Sequence, residues 1–187
     1  MSELSWITLV RSEENQGFII PNNRLAKLTS SPYIILLNSD TKVTAGWSEM
    51  MLGWSHYKGV AQVGCQGYKL NEECKGGKVS YGYDSDYVSG WCQCIPRRVY
   101  EQFGLFDEDN LAFAYGEDAD LSLRLQEAGE IVYGLHADPV IHFENKTVNA
   151  VSKERNMLES FEANHAYLRT RWGSFLKNHT SSRESNG

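Results

Sequence analysis

The sequence predicts an α/β layered fold, on three observations. Short apolar runs alternate with helical patterns along the chain, the order that stacks helices on a sheet. The run YIILL (33–37) is apolar at every position, as expected of a strand covered on both faces. From Ser152 to Phe175, the residues Leu158, Phe161, His165, Leu168, Trp172 and Phe175 recur at alternating spacings of three and four. That spacing is one face of a helix.

The elements follow in order. SWITLV (5–10) reads as a strand. IIPNNRLAKLTS (19–30) reads as a helix, with Pro21 in its first turn, where a missing N–H costs nothing. YIILLN (33–38) reads as a central strand. Residues 45–57 read as a helix, because Trp47, Met50, Met51 and Trp54 share one face. GVAQVGC (59–65) is a strand, and the Gly-, Asp-, Lys- and Tyr-rich stretch 66–86 a loop or hairpin excursion. YVSGWCQCIPR (87–97) is a strand that places Cys92 and Cys94 on one face. A short helix (97–103), a loop (104–116) and a helix (117–129) come next. Two short strands, IVYG (131–134) and PVIHF (139–143), precede the last helix, on which His165 reads as a satisfied core histidine. Residues 1–177 are expected to form one domain and the polar, Ser-rich 178–187 a disordered tail.

Composition narrows the function. A chain of 187 residues suits one domain, and a hydrophobic content of 41% supplies a core. The net charge of −6 and the lack of a basic stripe argue against nucleic acid as the main partner. Met1–Leu4 carries no basic residue and no long apolar run, unlike a signal peptide. No window reaches the roughly 20 apolar residues of a membrane span. The four cysteines, Cys65, Cys74, Cys92 and Cys94, lack the paired spacing of a zinc cluster. They read as buried free thiols, which implies a reducing, cytoplasmic location.

Three places carry candidate chemistry. Asp40 lies just past the carboxyl end of YIILL, where open α/β sheets bind ligands, and a carboxylate there can take a hard cation. Asn38, Ser39 and Asp40 are equally ordinary turn residues. Glu117 and Asp118 start a helix, a position that the helix dipole favours for acids. Asp118 also heads the stripe Asp118, Leu121, Leu125, Ala128, while Asp120, Arg124 and Glu127 form the outer face. An acid on an apolar stripe needs a partner or a role. His142, at a strand end, is either structural or a nitrogen ligand to a transition metal such as Mn²⁺.

In this order the segments resemble the family 2 glycosyltransferases, nucleotide-sugar enzymes of the GT-A fold. Asn15, Gly17, Phe18 and Asn23 match the family's Asn-x-Gly-Phe segment and following helix. Asn38-Ser39-Asp40 is a variant of its Asp-x-Asp metal motif. Ser89-Gly90, GLFDE (104–108), the helix Glu117-Asp118-Ala119-Asp120-Leu121 and His142 complete the pattern over residues 13–143. The rhamnosyltransferase-like branch is the nearest in flavour. The resemblance implies a three-layer α/β/α mixed sheet that transfers a sugar, with inversion, from a nucleotide-diphosphate sugar to a hydroxyl of a carbohydrate or polysaccharide acceptor.

By the resemblance, Asp40 and His142 hold a divalent metal, Mn²⁺ or Mg²⁺. Asp118 is the general base with Glu117 beside it. Asn38 and Ser39 lie near ribose and metal, and Gly90 and Trp91 near the donor or acceptor sugar. Family members begin with a strand, loop, helix and second strand that read the nucleotide base. This chain starts at what looks like the strand just before Asn15, so it reads as N-terminally truncated, with an open sheet edge at SWITLV or its neighbour. A homo-oligomer covering that edge is one expectation, and so is location at the inner membrane face. The rival reading is a degenerate or truncated non-catalytic nucleotide- or sugar-binding domain, or a dimerising interaction module.

Overall fold

A computed structural model describes residues 6–56, 59–136, 139–143 and 155–184. Its elements are α1 (Ile19–Lys27), β1 (Tyr33–Leu37), β2 (Thr41–Val43), α2 (Trp47–Ser55), β3 (Val60–Gly64), β4 (Gly67–Leu70), β5 (Gly76–Ser80), β6 (Tyr87–Val88), β7 (Cys92–Pro96), α3 (Arg97–Phe103), α4 (Glu117–Glu127), β8 (Ile131–Gly134), β9 (Val140–His142) and α5 (Arg155–Glu184).

The central sheet has the order β1-β7-β3-β8, antiparallel except for the parallel pair β3–β8. Alternation along each strand splits its side chains between two cores. Ile34, Leu36, Ala61, Ile95 and Val132 meet Ile19, Ala26, Val99, Leu121 and Leu125 of α1, α3 and α4 on one face. Val60, Val63, Cys92, Cys94 and Tyr133 meet Met51 of α2 on the other. The result is the three-layer α/β/α arrangement. Cys92 and Cys94 do share one buried face, and the four cysteines are free thiols.

Several expectations change. Residues 6–10 form no strand, and Trp6, Ile7 and Leu9 are exposed. A strand needs a partner for its backbone groups, and none of the described residues supplies one. Among the described residues β1, read as central, instead pairs with β7 alone and is the open edge. Residues 66–86 do form a hairpin, β4 and β5, as one of the two expectations had it, and with β6 it makes a second, three-stranded sheet. The predicted strand 87–97 breaks into β6 and β7, leaving Ser89, Gly90 and Trp91 between them.

α5 continues to Glu184, beyond the predicted start of a disordered tail at Asn178; residues 185–187 lie outside the described residues. Leu168, Trp172 and Leu176 of α5 pack on Ala119 and Leu123 of α4. His165 is half-buried against the Phe161 ring, and its Nδ1 has no hydrogen-bond partner among the described residues, unlike a satisfied core histidine.

That packing also corrects the reading of α4. Asp120 is fully buried rather than on an outer face. Its carboxylate accepts hydrogen bonds from Trp172 Nε1 at 2.9 Å and Arg124 Nε at 2.7 Å. Arg124 in turn donates to the carbonyls of Phe103 and Leu105. The helix is covered on two sides, by the sheet and by α5, so Asp120 serves the packing of the fold.

Candidate active site

The candidate site lies where β1 ends. Leu37 is the last residue of the strand, and the chain then turns through half-buried Asn38 and exposed Ser39. Asn38 N–H donates to Trp91 O at 2.9 Å, and Thr41 Oγ1 donates to Asn38 O at 2.7 Å. The turn feeds β2, which pairs antiparallel with β9 so that Thr41 lies opposite His142. Phe143 N–H donates to Asp40 O at 2.9 Å. This pairing brings together two side chains that are 102 residues apart in sequence, with His142 Nε2 3.2 Å from Asp40 Oδ1. The Trp91 ring stacks on the His142 ring, centroids 4.9 Å apart and planes 9° from parallel.

Glu117 and Asp118 open α4, after Gly116 in the left-handed region at φ 89°. Asp118 Oδ2 accepts from Gly90 N–H at 3.0 Å, and Oδ1 accepts from Ala119 N–H at 2.8 Å. Burial pushes the Asp118 carboxyl above the usual range, and these backbone donors oppose that rise. Glu117 is 6% exposed, and its Oε2 has no hydrogen-bond partner among the described residues. Burial, and then the neighbouring Asp118 charge, push the Glu117 carboxyl up to about 8. Two adjacent acids, one of them buried, do not both ionise readily.

Gly90 and Trp91 join the two clusters. Gly90 holds Asp118 through its amide, and Trp91, the next residue, stacks on His142 beside Asp40. A Cβ on Gly90 would lie 3.4 Å from Phe18 and 3.5 Å from Asp118, so the backbone here runs close to both. Asp40, His142 and Asp118 therefore border one short stretch of chain. Among the described residues no three His, Cys, Asp or Glu side chains gather into a metal-binding group. Asp40 and His142 supply one oxygen and one nitrogen donor. That pair suits a divalent ion shared with oxygens of a bound ligand.

Two supporting features escape the sequence reading. Gln62, Gln93 and Ser122 form a buried hydrogen-bonded chain that ties α4 to β3 and β7. Their signal was a lone Gln inside each of the apolar runs VAQVGC and CQC. Asn23, noted only as a motif residue, donates to Phe106 O at 2.8 Å and to Glu108 Oε1 at 2.7 Å, and accepts from Phe106 N–H at 2.9 Å. It thereby fastens the GLFDE segment to α1.

Comparison with known proteins bears on the fold. No family model matches the sequence, and no curated protein matches it. Among solved structures, GalNAc-T7 with UDP, GalNAc and Mn²⁺ aligns at a TM-score of 0.59 and 14% identity, over 71% of this chain and 31% of that one. The mannosyltransferase PcManGT from Pyrobaculum calidifontis, in complex with GDP-Man and Mn²⁺, aligns at 0.57 and 13%, over 96% of this chain and 58% of that one. The chain thus spans about a third to just over half of the length of these structures. At such identities the likeness speaks for architecture: the chain has the GT-A fold of nucleotide-sugar transferases.

Proposed function

We propose that this chain is the metal- and base-bearing part of a glycosyltransferase of the family 2 type, rhamnosyltransferase-like in branch, working in the cytoplasm or at the inner membrane face. It takes a sugar from a nucleotide-diphosphate donor and passes it, with inversion, to a hydroxyl of a carbohydrate or polysaccharide acceptor. The observation that carries the reading is the convergence of Asp40–His142 and Asp118 on Gly90–Trp91. The motif order over residues 13–143 and the shared fold add to it. Free, buried thiols suit a reducing compartment. No helix among the described residues is long and apolar enough to cross a membrane.

In this reading Asp118 takes the proton of the acceptor hydroxyl. The acceptor oxygen bonds to the anomeric carbon, the carbon–phosphate-oxygen bond breaks, and the nucleoside diphosphate leaves with the electron pair. Glu117 keeps its proton, so that Asp118 carries the single negative charge of the pair. The two backbone N–H donors hold the Asp118 carboxylate in place. Asp40 and His142 would hold a divalent ion, Mn²⁺ or Mg²⁺, and such an ion would stabilise negative charge on the leaving diphosphate. Asn38 and Ser39 would lie near the ribose and metal, and Gly90 and Trp91 near the donor or acceptor sugar. The open edge of β1 carries no charged side chain to block pairing. In this reading it is covered by further chain or by a second copy.

The test is release of nucleoside diphosphate from uridine, guanosine and thymidine diphosphate sugars with Mn²⁺ or Mg²⁺. Release above the protein-free rate is expected for at least one donor. Tight binding of a nucleoside diphosphate without release would favour the non-catalytic binding module instead.

A further inference from the structure

The segment Ala112–Gly116, which leads into α4, has an uncommon backbone. Phe113 (φ 60°) and Tyr115 (φ 75°) are bulky residues in the left-handed region, and Gly116 follows at φ 89°. Such a conformation is strained, and it persists only where neighbours over-determine it. Gly116 is the N-cap of α4 and offers no side-chain hydrogen bond. The direction in which α4 starts is therefore set by what holds the segment.

Asn164 of α5 is that holder. It is 1% exposed, and its carboxamide is wholly engaged with the segment's backbone. Oδ1 accepts from Ala112 N–H at 3.0 Å, while Nδ2 donates to the carbonyls of Ala112, Ala114 and Tyr115 at 2.9, 3.0 and 2.9 Å. With two hydrogens for three acceptors, one N–H is shared. The opposite side is pinned by α1, since Phe18 N–H and Ile19 N–H donate to Phe113 O at 2.6 and 3.3 Å. Leu168 of α5 closes the end, for a Cβ on Gly116 would lie 2.7 Å from its Cδ1. Gly116 O then accepts from Asp120 N–H at 2.8 Å in the first turn of α4. A purely apolar residue at 164 would fill the space yet leave one N–H and three carbonyls without this partner.

We propose that Asn164 is a positioning residue for the reaction: by clamping Ala112–Gly116 it aims the first turn of α4 so that Asp118 meets Gly90 N–H. The proposal rests on the reading of Asp118 as the base. Asn164 touches no reacting atom and works only through the segment it holds.

The test uses the full chain carrying Asn164→Ala, with Asn164→Ser, smaller in its effect, should the alanine variant fail to melt cooperatively. Two readouts are taken on folded protein. In the ¹H–¹⁵N spectrum the Gly90 amide proton is expected to move upfield as its bond to Asp118 lengthens. In sugar transfer, kcat is expected to fall about 100-fold, the size typical of a misplacement near 1 Å, with KM for the donor unchanged. A folded variant that keeps the wild-type Gly90 resonance overturns the proposal. So does one in which KM rises while kcat holds. If the wild type transfers no sugar, the functional reading falls, and the Gly90 resonance alone still decides whether Asn164 positions Asp118.

Discussion

Asp118→Asn is expected to lower the rate of sugar transfer by about 10²–10⁴-fold, the usual contribution of a positioned general base. The amide has no proton affinity to offer an acceptor hydroxyl near neutral pH. The fold should survive. The side chain of Asn keeps one carbonyl oxygen for either Gly90 N–H or Ala119 N–H, where Asp118 serves both. Losing the second of these bonds costs about 1–3 kcal/mol, the penalty for an unmade bond to a buried donor. Rates measured at saturating donor, beside a melting curve, separate the two effects. A variant that turns over like the wild type would remove Asp118 from the chemistry.

Glu117→Gln is expected to make the protein more stable, and increasingly so as pH rises. The folded chain holds the Glu117 proton up to about pH 8, whereas the ordinary value is 4.5. Between those values the folded state binds more protons than the unfolded state, so stability falls as pH increases through the window. Below about 4.5 the contribution is fully present, and above about 8 it is gone. Glutamine has the shape of the protonated acid and no such slope. The gap between variant and wild type widens with each unit of pH across that window, at about 1.4 kcal/mol per unit for one proton. Urea midpoints across the window check this. Parallel pH profiles for the two proteins would mean that Glu117 ionises as an ordinary exposed acid does.

The parts of the site that rest on local pattern were legible in the sequence. YIILL ending in Asn38-Ser39-Asp40 announced a strand with a polar end, and the start of α4 at Glu117 followed from spacing. What periodicity cannot reveal is a second packing partner. The stripe through Asp118, Leu121 and Leu125 left Asp120 to solvent, because Trp172, 52 residues further on, was not part of the helix being read. Nor does strand-like composition ensure a strand. SWITLV has the pattern and finds no neighbour among the described residues, whereas the stretch 66–86, read as a loop or a hairpin, pairs β5 with β4. The joining of the two clusters through Gly90 and Trp91 is likewise non-local. It depends on β7 lying beside β1, a pairing between stretches whose sequence separation hides it.

The central claim is that positions 40, 142 and 118 serve one reaction. Crystals of the chain soaked with Mn²⁺ and a nucleoside diphosphate test it most directly. The account predicts an anomalous peak bonded to both Asp40 and His142, with the diphosphate on the same ion and Asp118 facing the cleft across Gly90. A Mn²⁺ ion bound elsewhere with its nucleotide, leaving the Asp40–His142 pair untouched, would contradict it.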